Sequence, residues 1–153
     1  MKKTLTGIGL VLLPFLAGAI GSLATAPNIQ SWYVYLNKPI FTPPSWLFGP
    51  AWTTLYLLMG ISLYLIWKSK GDKKQAYKVF AAQLILNALW SLVFFGMHQL
   101  WLGFAVIVAM WLLIIWTIIL FTKINKAAAW LLVPYILWVT FASALNLSVA
   151  LLN

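Results

Sequence analysis

Amide, hydroxyl and indole groups recur at helical spacing inside long apolar stretches of this 153-residue chain. Gln83 and Asn87 are four apart, which places them on one face of a helix. Trp90 lies three residues further along that face, and Ser91 is beside it. Trp52 and Tyr56 repeat the four-residue spacing earlier in the chain. Tyr135, Trp138, Ala142 and Asn146 repeat it near the end, with Pro134 loosening the helix they share. Amides buried without partners are costly, so these groups must meet another helix, water or a ligand. If the three sets converge, they form a cavity with aromatic walls and a few hydrogen-bond donors, which is small-molecule chemistry. Interhelical hydrogen bonding is the competing reading, at about 0.6 kcal/mol per contact on average. Spacing alone leaves both open.

Other chemistries lack their residues. The chain has no Cys, one acid (Asp72) and one histidine (His98). Thiolate catalysis and Cys-bound metals are excluded. Neither a carboxylate pair nor a conventional catalytic triad can be assembled, so no conventional enzyme, metal site or resident cofactor is expected. His98 suits a surface histidine better than an axial iron ligand, because no second ligand accompanies it.

The elements that position these groups are marked by charge. All ten basic residues are Lys, and 64% of the chain is hydrophobic against 7% charged, where a soluble domain carries roughly 25% charged residues. A membrane helix needs about 20 apolar residues. Five segments qualify, at approximately 5–26, 46–67, 77–97, 101–121 and 127–151. The fold class is therefore all-α: a single membrane domain, 1–153, forming a five-transmembrane-helix bundle. With the N-terminus inside, nine lysines lie on the inner side (Lys2, Lys3, Lys68, Lys70, Lys73, Lys74, Lys78, Lys123 and Lys126) and only Lys38 outside. That bias predicts an inside N-terminus and an outside C-terminus. The lysines read as topology signals and contacts to anionic membrane lipids rather than as a nucleic-acid surface. Lys2-Lys3, an apolar run and Ala24-Thr25-Ala26 imitate a signal peptide, but Pro27 would hinder cleavage and the run is span-length.

Two further features shape the bundle. Ala17, Gly21 and Thr25, with Gly18 and Ser22, form a stripe of small residues that lets another helix approach closely. Ala105 and Ala109 give the fourth span a shorter stripe. Packing inside the bundle is the expected use. The one long loop, residues 27–45, carries Trp32, Tyr33, Tyr35, Lys38, Pro39, Phe41, Pro43 and Pro44. Its aromatic anchors and stiff prolines suit an ordered lid.

These residues fall into ordered blocks that resemble the TspO/MBR family of bacterial tryptophan-rich sensory proteins and mitochondrial translocator proteins. Trp32-Tyr33 with Leu36-Asn37-Lys38-Pro39 resembles its first-loop motif. Pro43-Pro44-Ser45-Trp46 and Pro50-Ala51-Trp52-Thr53-Thr54-Leu55-Tyr56 follow, then Met59-Gly60. Gln83–Trp90 and Phe94-Phe95-Gly96 resemble the third-helix signature; Pro134-Tyr135, Trp138, Phe141-Ala142 and Leu145-Asn146 resemble the fifth. The resemblance covers nearly the whole chain. It implies a homodimeric five-helix bundle whose cavity, closed by the first loop, takes porphyrins and, in animals, cholesterol and isoquinoline-type compounds. Ligand-binding positions would be Trp52, Tyr56, Gln83, Asn87, Trp90, Tyr135, Trp138, Ala142 and Asn146, with Trp32, Tyr33 and Lys38 as lid. The tail 145–153 lacks the Tyr and the Lys or Arg of the proposed cholesterol motif, and Thr42 stands where animal members carry His. These departures point to a bacterial plasma membrane.

Three functions follow as expectations. The leading one is a receptor or sensor for a tetrapyrrole, with Trp52 and Trp138 against the disc, Asn87 donating to it and Lys38 drawing a propionate to the mouth. A porphyrin transporter is the second, although no repeat or ion site accompanies it. Light- and oxygen-dependent porphyrin breakdown is the third; it would rest on Trp52 and Trp138.

Overall fold

The computed structural model describes residues 2–153, with side-chain surroundings from residue 3 onward. Its helices are α1 (Lys2–Ser31), α2 (Ser45–Lys68), α3 (Lys74–Ser91), α4 (Leu100–Ile124), α5 (Lys126–Leu131) and α6 (Val133–Leu152). A π-helical turn, Leu92–Gly96, extends α3, and a short 3-10 turn, Tyr33–Tyr35, follows α1. Five spans are long and apolar enough to cross a membrane, α5 and α6 counting together as the fifth. Among the described residues there is no strand. The sides turned away from the bundle are apolar, with Leu16, Leu23, Leu112 and Leu137 exposed, as a lipid-facing surface requires.

Two boundaries differ from the sequence expectation. The first helix does not stop before Pro27 but runs on to Ser31, so the loop is shorter than 27–45. Pro27 removes one backbone donor, and polar side chains bond the local carbonyls. Asn28 Nδ2 donates to Ala24 O at 2.8 Å, and Ser31 Oγ donates to Pro27 O at 2.7 Å. The fifth span is broken at Leu132, two residues before Pro134. The short α5 is capped by Asn125, whose Oδ1 accepts from Ala128 N at 3.1 Å.

Packing is uneven along the bundle. Toward the lysine-rich end the core is dense. Ile66, Phe80, Phe121 and Ala128 are almost fully buried, and the Phe80 and Phe121 rings stack at 5.8 Å. Ser62 Oγ donates to Ala128 O at 2.7 Å, tying α2 to α5. Gly60 lets α1 approach α2 so closely that a Cβ there would run into the Val11 backbone. Toward the loop end the helices separate around a cavity. The small-residue stripe of α1 works within the bundle, as expected. Gly18 lies against the Tyr56 ring and Gly21 against Ser91. Ala105 and Ala109 on α4 stay exposed in the single chain.

Candidate ligand cavity

The cavity has a volume of about 460 Å³, within the roughly 300–1,000 Å³ common for small-molecule sites. α2 supplies Trp52 and Tyr56, α3 supplies Asn87 and Trp90, and α6 supplies Trp138, Ala142 and Asn146. The three sets read from four-residue spacing thus meet at one place. Each reaches it because its helix turns that face inward, while Thr53, Leu89 and Leu137 on neighbouring faces are exposed.

Gln83 and Tyr135 do not line the cavity. They form its floor through a buried hydrogen-bond chain. Tyr56 Oη donates to Asn87 Oδ1 at 2.8 Å, and Asn87 Nδ2 donates to Tyr135 Oη at 3.1 Å. Tyr135 Oη in turn donates to Gln83 Oε1 at 2.8 Å. Three helices are joined, and the polar groups are satisfied where leaving one bare would cost about 1–3 kcal/mol. Trp52 stacks on Tyr56 at 5.5 Å and meets Tyr135 edge-on at 6.3 Å, so its indole is held by both phenols of this hydrogen-bonded set. The side wall is fixed in the same way. Trp90 Nε1 donates to Asn146 Oδ1 at 3.1 Å, and Asn146 Nδ2 donates to Leu100 O at 3.0 Å. The interhelical-bond reading therefore holds for Gln83, Asn87 and Asn146, and two of these also face the cavity.

Trp138 is the exception. Its ring packs edge-on to Phe48 at 5.9 Å, yet its buried Nε1–H has no acceptor among the described residues. Trp138 lines the cavity, and its buried N–H makes no hydrogen bond among the described residues.

The loop closes the site unevenly. Tyr33 is buried and lines the cavity; burial pushes its phenol above the ordinary value. Trp32 does not line it. Its indole stacks on His98 at 4.2 Å and lies edge-on to Phe94 at 5.7 Å. His98 has φ 56° and shares a 2.9 Å hydrogen bond between Nε2 and Asn28 Oδ1. It thus joins the end of α1 to the α3–α4 connection. Lys38 also stays out of the cavity. Its ammonium donates to the carbonyls of Tyr33, Val34 and Leu36 at 2.8–3.1 Å and sits 4.9 Å from the Tyr33 ring centroid. A propionate partner was expected here; the structure makes Lys38 the internal cap of the loop. Asn153 holds the loop from α6, donating to Asn37 O and accepting from Asn37 N, both at 2.9 Å.

Sequence reasoning missed the α1 wall. Gly18, Gly21, Ser22, Thr25 and Ile29 line the cavity opposite α6. Their small size was legible, but it signalled helix contact rather than space. Phe94 and Phe95 were also missed as lining residues. They come from the π-helical turn, whose register breaks the four-residue rule.

The TspO/MBR family profile matches residues 10–152. The chain belongs to the TspO/MBR family. It is 44% identical over 144 residues to the tryptophan-rich protein TspO of Archaeoglobus fulgidus, covering 94% of each chain. It is 40% identical to a tryptophan-rich sensory protein of Cereibacter sphaeroides, covering 94% of this chain and 91% of that one. Human translocator protein is 35% identical, over 91% of this chain and 85% of its own length. Family membership and five apolar spans make this an integral, multi-pass membrane protein.

Proposed function

We propose that this TspO/MBR member is a membrane receptor that takes a flat, largely apolar tetrapyrrole into the loop-end cavity. The observation that carries the reading is the buried Trp138 Nε1–H left without an acceptor in an aromatic-walled cavity. A guest with ring nitrogens or a carbonyl fills that bond, while Trp52, Trp90 and Phe48 supply aromatic faces and edges. Among the described residues no charged side chain lines the cavity. Acidic propionates therefore remain at the opening, in contact with water. That opening lies between the outer part of α1 and the start of α2, where lining residues Ser22, Ala26, Ser45 and Trp46 are also exposed. A lipid-soluble guest enters there from the membrane. Binding would tighten the loop through Tyr33 and alter a surface that a partner reads. The sensory and translocator names of the relatives agree with a receptor role. The lysine bias and the missing cholesterol motif favour a bacterial plasma membrane with the N-terminus inside.

Titration of protoporphyrin IX into the protein in nanodiscs, read by porphyrin absorbance, tests the proposal. Saturable one-site binding, weakened about two- to tenfold in Trp138→Phe, is expected, since one hydrogen bond contributes about 0.5–1.5 kcal/mol. Non-saturable partitioning, equal in both proteins, would overturn it.

A further inference from the structure

A second concavity lies at the opposite end of the molecule, between the first turns of α1 and the last turns of α2. We propose that it binds one anionic phospholipid, with the phosphate between Lys3 and Lys68 and an acyl chain along the groove below. The groove has a volume of about 700 Å³. Its mouth carries Lys3 and Lys68, both exposed, and its walls are Ile8, Leu12, Tyr64 and Trp67. Polar above and apolar below is the profile of a lipid, and the groove runs along a transmembrane helix pair rather than into the bundle.

Charge selects the anionic class. The two ammonium groups come from different helices, and no ion pair joins either to a carboxylate among the described residues. Asp72, the only acid in the chain, lies on the α2–α3 connection and accepts from Lys74 N at 2.9 Å. The protein thus supplies no counter-charge to this mouth. The helix ends add to the effect. α1 presents its N-terminal, positive end here. The carbonyls ending α2 would oppose an anion, but Lys73 Nζ donates to Trp67 O at 2.9 Å and offsets them. Trp67 and Tyr64 lie 5.9 Å apart, a paired aromatic wall at the level where amphipathic rings favour the membrane interface. Gly7 keeps the groove narrow at its base, since a Cβ there would stand 2.9 Å from the Tyr64 ring. This site is separate from the loop-end cavity and does not depend on what fills it.

Native mass spectrometry of the full-length protein, released from detergent with defined lipids, reads the site directly. Phosphatidylglycerol and phosphatidylcholine of identical acyl chains would be compared on the wild type, on Lys3→Gln with Lys68→Gln, and on Lys123→Gln with Lys126→Gln. The last pair removes the same charge outside the groove. The wild type should retain one phosphatidylglycerol in preference to phosphatidylcholine. The groove double variant should lose roughly thirtyfold of that preference, the scale set by two lysines near an anionic surface. The control pair should change it less than twofold. Circular dichroism would establish that all three proteins are equally helical. Equal losses in both double variants would overturn the site in favour of general surface charge. Displacement by glycerol phosphate as readily as by the lipid would show a headgroup site with an idle groove, and would overturn the lipid assignment. A changed monomer–dimer ratio with unchanged lipid count would make the groove a contact between copies, and would also overturn it.

Discussion

The two ends of this bundle are built from the same helices but solve opposite problems. At the lysine-rich end, large apolar side chains interlock, and Phe80, Phe121 and Ile66 are 0–1% exposed. The polar groups there, Ser62 and Asn125, are paired within the protein. At the loop end, small residues face large aromatics. Gly18, Gly21 and Ala142 line a cavity, the two glycines in close contact with Tyr56 and Ser91, and one indole N–H is left over. The aromatic count alone does not distinguish the ends. What differs is whether each ring faces another bulky side chain or a glycine.

The contrast is easiest to break at the dense end. Phe121→Ala should cost about 3–5 kcal/mol, because a filled core is emptied. Denaturant unfolding in mixed micelles, followed by circular dichroism, would measure it. A smaller effect is expected at the boundary between the two ends. Tyr135→Phe removes the hydroxyl that accepts from Asn87 and donates to Gln83. Leaving those buried amides short of partners should cost about 1–3 kcal/mol, and the same unfolding assay applies. At the hollow end, Trp138→Phe should change stability by less than about 1 kcal/mol, since it deletes an N–H that has no bond to lose. The smallest effect is expected in the loop. Asn153→Ala removes the two exposed bonds to Asn37 and should leave global stability within about 0.5 kcal/mol of the wild type, as surface substitutions usually do. Hydrogen exchange should nonetheless quicken in residues 36–40, because those bonds hold the loop from α6.

How much of this was legible in the sequence follows the same division. Five spans could be read because lipid demands long apolar runs and charges interrupt them. The cavity faces of α2, α3 and α6 could be read because Trp52–Tyr56, Asn87–Trp90 and Ala142–Asn146 keep helical spacing. The α1 wall could not, because glycine announces closeness without saying whether a neighbour or a ligand takes the room. The contacts of Trp32 and Lys38 could not be read for a different reason. In an irregular loop, sequence spacing carries no direction, so a stacked Trp32–His98 pair and a lysine folded onto three carbonyls leave no periodic trace. The extension of α1 past Pro27 was hidden in the same way, since the proline was visible and the Asn28 and Ser31 bonds to neighbouring carbonyls were not.

The central claim is that the hollow end is a binding site and not merely loose packing. Ala142→Phe tests it most directly, because Ala142 lines the cavity and a ring placed there occupies the space a guest would need. Protoporphyrin IX would be titrated into wild type and variant in nanodiscs, with unfolding followed in parallel. The account predicts that the variant stays folded and at least as stable, while one-site binding falls tenfold or more. Unchanged affinity in a folded Ala142→Phe protein would contradict it.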